Sequence, residues 1–73
     1  MKRVNKAVIE SVNACDEKVA IDLSHVEYIK EDKPVISGAV GTLIHFTSGR
    51  EFFVVEKYDA VRDMLETFRA EEN

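Results

Sequence analysis

Seventy-three residues leave room for one domain with a thin core, 45 % hydrophobic and 33 % charged, a balance that excludes a disordered tail. The net charge of −4 with only one basic cluster, Lys2, Arg3 and Lys6, disfavours a binder of phosphate backbones. The single cysteine, Cys15, excludes an internal disulfide and fits a reducing, cytoplasmic setting.

In chain order, residues 1–6 read as a loose basic arm. Residues 7–12 fit a strand better than a helix, although Val4, Val8, Val12 and Cys15 would align on a helical face. Asn13 to Glu17 is turn-prone, and Val19 to Ile21 is a short β-branched strand. Asp22-Leu23-Ser24-His25 reads as a turn in which the Asp and Ser side chains bond nearby backbone amides. Val26 to Lys30 forms a third strand with no clean face, and Pro34 ends it, lacking a ladder donor. Residues 35–41 carry no charge, which is unusual for a loop in water.

The strongest fold signal follows. Gly41 to Thr47, a turn at Ser48-Gly49-Arg50, and Glu51 to Val55 form a hairpin of β-branched and aromatic residues. A two-residue loop would give two mixed faces. A type I turn with Gly49 in the left-handed conformation and a G1 bulge instead pairs Phe46 with Phe52 and Ile44 with Val54, making one face wholly apolar. Leu43, His45, Phe53 and Val55 then point away from it. Residues 58–70 supply the cover: Tyr58, Val61, Leu65 and Phe68 recur at helical spacing with Met64 beside them, and Asp59, Arg62, Asp63, Glu66 and Arg69 fill the other side.

The expected architecture is α+β and a single domain over residues 1–73. Residues 7–57 form a small antiparallel β-meander of four or five strands, strongly coiled or barrel-like, closed by the one C-terminal helix. From Val19 to Val26, then Gly41 to Glu56 and Val61, the chain also resembles the small FlbD-like family of flagellar and swarming motility, together with short bacterial and phage proteins that share its pattern. That resemblance implies the same β unit and helix and brings no catalytic residue. Residues 33–41 make a longer connection than that family is expected to have, and Lys57 stands where it usually carries a helix-capping serine.

Chemistry-bearing residues are few. His25, His45 and Cys15 stand ten and twenty residues apart, which matches no metal-ligand spacing, and no cofactor is implied. Ser24 and His25 are neighbours in sequence, whereas a nucleophile and its base must face one another beside an orienting acid. The carboxylate pairs Glu31-Asp32 and Glu71-Glu72 read as solvated charge, and the glycines lack the lysine of a phosphate loop. A protein without enzymatic activity is expected. No apolar run reaches the ~20 residues of a membrane span, so no membrane partner is expected either.

What remains is apolar surface, since one helix covers only one face of a sheet. Val35, Ile36, Val40, Leu43, His45, Phe53 and Val55 are the expected interaction surface, serving a homo-oligomer or a protein partner. Burial of these residues by the first strand or by the loop is the plainer account. A small oligomeric nucleic-acid binder using the basic arm and a small-ligand binder at a subunit interface are the alternatives.

Overall fold

The computed structural model describes residues 1–33 and 40–72. Six strands and one helix follow in chain order: β1 (Lys2–Arg3), β2 (Val8–Val12), β3 (Lys18–Asp22), β4 (Val26–Asp32), β5 (Gly41–Phe46), β6 (Glu51–Val54) and α1 (Tyr58–Glu72). A single 3-10 turn, Leu23–His25, joins β3 to β4. The strands form two antiparallel sheets, β1-β2-β3 and β4-β5-β6. The α+β reading holds, but among the described residues there are six strands in two separate sheets where four or five in one meander were expected. Among the described residues they remain two sheets and do not close into a barrel, although a backbone hydrogen bond from Val55 N–H to the Val12 carbonyl (2.9 Å) links the end of β2 to the exit of β6.

Local chemistry accounts for most of these elements. The Asn13 side-chain oxygen accepts from the amides of Cys15 and Glu17, and Asp16 takes a positive φ of 62°, which closes the β2–β3 hairpin with the short polar residues that tolerate this conformation. Asp22 accepts from the Ser24 amide at 2.9 Å, capping the turn into β4 as expected. The Ser24 side chain, expected to bond a backbone amide, instead donates its hydroxyl to the Asp22 carboxylate at 2.6 Å. Residues 7–12 do contain a strand. The arm is not loose, however, because Lys2 and Arg3 pair with Glu10 and Ile9. Asn5 accepts from the amides of Ala7 and Val8, and the Arg3 guanidinium grips both carboxylate oxygens of Glu71. A short ladder and an ion pair hold what composition alone leaves free.

The central hairpin confirms its turn and corrects its pairing. Gly49 has φ +92°; its N–H donates to the Phe46 carbonyl, and the Phe46 N–H donates to Arg50, a type I turn followed by the expected bulge. That turn begins one residue earlier than the sequence suggested. Ile44 therefore opposes Phe52 and Thr42 opposes Val54, a slip of two residues, not one. The division into faces survives because side chains alternate with period two. Phe52 does not: it sits toward the turn, 36 % exposed, while Thr42, at 0 %, occupies the core position beside Val54. The Thr42 hydroxyl tolerates burial by donating to the Glu56 carbonyl at 2.8 Å.

The core lies between the two sheets and the helix. Ile9 and Ile21 of the first sheet meet Val26, Ile44 and Val54 of the second, and Val61, Leu65 and Phe68 of α1 close it, with Leu23 from the turn. The helical spacing is as anticipated, although α1 runs to Glu72 instead of residue 70. Lys57 offers no side-chain cap, and its carbonyl accepts from Ala60 and Val61. At the far end Arg69 reaches back to the carbonyls of Val26 and Glu27.

Candidate interaction surface

The second sheet has one face against the core and one facing away. A register shift between Val26 and Tyr28 explains why β4 showed no clean periodicity. The bulge lets Val26 turn inward, inserts Glu27, and then sets Tyr28 outward and Ile29 inward. Opposite them on β5 stand Leu43, paired with Lys30 and Phe53, and His45, paired with Tyr28 and Glu51. Leu43, His45 and Phe53 thus share the outer face, as expected. Each is only half-buried.

The shape of this face follows from two contacts. The Phe53 ring lies over Gly41: a methyl group there would come within 2.5 Å of its tip and would also strike the Val54 carbonyl oxygen. A side chain at position 41 would lift the ring, so glycine is required by close approach rather than by backbone conformation. Tyr28 stacks on His45 with ring centroids 4.6 Å apart and planes 13° from parallel. Phe53, Leu43 and the Tyr28–His45 pair together form a strip across the sheet, with Tyr28 43 % exposed.

Its rim is acidic at one end. His45 Nδ1 is 3.6 Å from Glu51 and Nε2 is 3.9 Å from Glu27, so each ring nitrogen faces a carboxylate of a flanking strand beyond hydrogen-bond length. Nδ1 is buried without a hydrogen-bond partner. Lys30, exposed beside Leu43, adds a positive charge to the strip.

Of the other expected members, Val40 precedes β5 and is 46 % exposed, and Val55 lies one residue past β6 at 43 %. Val35 and Ile36 lie outside the described residues. Tyr28 was missed, although three-residue spacing of the inward Val26 and Ile29 is the mark that a bulge leaves in sequence. The Ser24 hydroxyl donates to Asp22, and His25 Nε2 is 3.7 Å from the same carboxylate. Among the described residues no group of three or more His, Cys, Asp or Glu could hold a metal ion, and no helix is long and apolar enough to cross a membrane. No family model matches the chain, and no curated protein and no solved structure matches it.

Proposed function

We propose that this chain is a non-enzymatic protein-interaction module, a cytoplasmic accessory or regulatory protein of bacterial or phage type, acting through the outer face of its second sheet. The observation that carries this reading is the Phe53, Leu43 and Tyr28–His45 strip, presented on the side away from the helix and flattened by Gly41. Aromatic side chains that are already ordered lose little freedom on binding and commonly anchor interfaces. The resemblance to the FlbD-like family brings no catalytic residue to this chain, which is in keeping with a non-enzymatic role. Glu27 and Glu51 at the rim favour a partner that brings an apolar anchor flanked by basic groups. The engagement of Arg3 by Glu71 favours protein over nucleic acid, because the basic cluster is partly neutralised within the chain.

Affinity capture with the immobilised protein, followed by mass spectrometry, tests this. A protein retained by wild type should be lost with Tyr28→Asp and with Phe53→Asp while circular dichroism stays native, since an unpaired carboxylate is costly to desolvate in an interface but not in water. Equal retention by all three would remove the outer face from the function.

A further inference from the structure

The first sheet leaves an edge of its own. Hydrogen bonds from the Leu23 amide to Ala7 and from the Asn13 amide to Glu17 fix the phase of the β2–β3 ladder. By alternation, Ile9/Ile21 and Ser11/Val19 are the hydrogen-bonded pairs. The backbone groups of Lys18, Ala20 and Asp22 therefore point away from β2, and β3 has no second strand partner among the described residues. Their side chains are exposed as well.

Beside this edge opens an apolar groove of about 330 Å³ lined by Val19, Ala20, Ile21, Phe46 and Phe52. It is the mouth of the core between the two sheets, and it accounts for the exposure of Phe52. An edge with free donors and acceptors next to apolar side chains is a template for another strand.

The sequence of β3, Lys-Val-Ala-Ile-Asp, names the strand that fits. We infer that β3 pairs antiparallel with β3 of a second copy about a two-fold axis at Ala20. In that register Ala20 opposes Ala20, each Lys18 opposes the other copy's aspartate at position 22, and Val19 opposes isoleucine at position 21. The outward amides and carbonyls find partners across the seam, and both charges meet opposite charges. Val19 and Ile21 continue the apolar inner face from one copy to the next, with each copy's Phe52 flanking the junction. The contact is isologous and closes at two chains. A shift of two residues would forfeit both charge pairs, so the register selects itself. This surface is separate from the Tyr28–Phe53 strip, and the dimer would present two such strips.

Sedimentation equilibrium over a concentration series, with circular dichroism on every variant, tests the pairing. Wild type should dimerise reversibly. Lys18→Asp should weaken the dimer at least about tenfold, since two attractive pairs become two repulsive ones. Ala20→Pro should do the same by removing the donor on the axis, at an edge position where proline leaves the β2 ladder intact. Asp22→Lys should be weakened likewise when alone and should associate more tightly when mixed with Lys18→Asp, because every charge then faces its opposite. Asp22 caps the following turn, so if that variant unfolds, Lys18→Asp and Ala20→Pro decide. Phe53→Asp should leave the dimer unchanged, which separates this inference from the reading of the outer face. A wild type still monomeric at about 1 mM, or a dimer indifferent to Lys18→Asp and Ala20→Pro, would overturn it. So would folded Lys18→Asp and Asp22→Lys chains that fail to associate when mixed.

Discussion

Two glycines constrain the chain for different reasons, and the difference is measurable. Gly49 needs its positive φ of 92°, with open space around the missing side chain; Gly49→Ala should cost about 1 kcal/mol, the ordinary penalty of a Cβ in left-handed backbone. Gly41 carries no such strain but sits under the Phe53 ring and against the Val54 carbonyl. Gly41→Ala should cost about 3 kcal/mol, the upper range for overpacking, because a backbone oxygen cannot swing aside. Urea midpoints of the two variants check the order, and a milder Gly41→Ala would mean that the ring does not rest on the sheet. Only the first glycine was legible in the sequence: a Ser-Gly turn announces itself locally, whereas close approach belongs to the cross-strand register.

At the level of elements, alternation was legible and pairing was not. Inward residues of β5 and β6 follow from period two, which any even slip preserves, so the face was right while Phe52 was placed two residues too deep. The cost follows the observed register. Ile44→Ala, at a fully buried position, should lose ~2–5 kcal/mol, and Phe52→Ala only ~1–2 kcal/mol, although it removes the larger side chain. Guanidinium unfolding of the pair distinguishes the two registers. The same limit hid Tyr28, because a bulge breaks the alternation on which reading a strand depends. The helix, by contrast, was plain from Val61, Leu65 and Phe68, where spacing alone identifies the buried side.

Across the whole molecule the first strand is tied to the last helical turn. The Arg3 guanidinium holds the Glu71 carboxyl below the usual carboxylate range, and the Ser24 hydroxyl and amide do the same for Asp22. A carboxyl whose pKa is lower in the folded chain than in the unfolded one adds stability above the unfolded value, and that stability is lost as the pH falls through the folded one. Both groups are well exposed, which keeps each contribution small. Stability should therefore decline from the ordinary carboxylate range downward. Glu71→Gln should lower the urea midpoint at neutral pH and flatten its acid limb, with little difference from wild type once both carboxyls are protonated. An unchanged acid limb would mean that Arg3 and Glu71 do not hold each other in solution.

Arg69 bears on the outer face from behind. Its guanidinium donates to the carbonyls of Val26 and Glu27, the residues at which β4 bulges and swings Tyr28 onto His45. The end of the helix thus braces the irregularity that sets one wall of the aromatic strip, through the thickness of the sheet and not along its surface. Under the proposed function, a partner docked on the stacked pair would meet a posture the helix already maintains, and loosening the last turn of α1 would then weaken its binding without altering a residue it contacts.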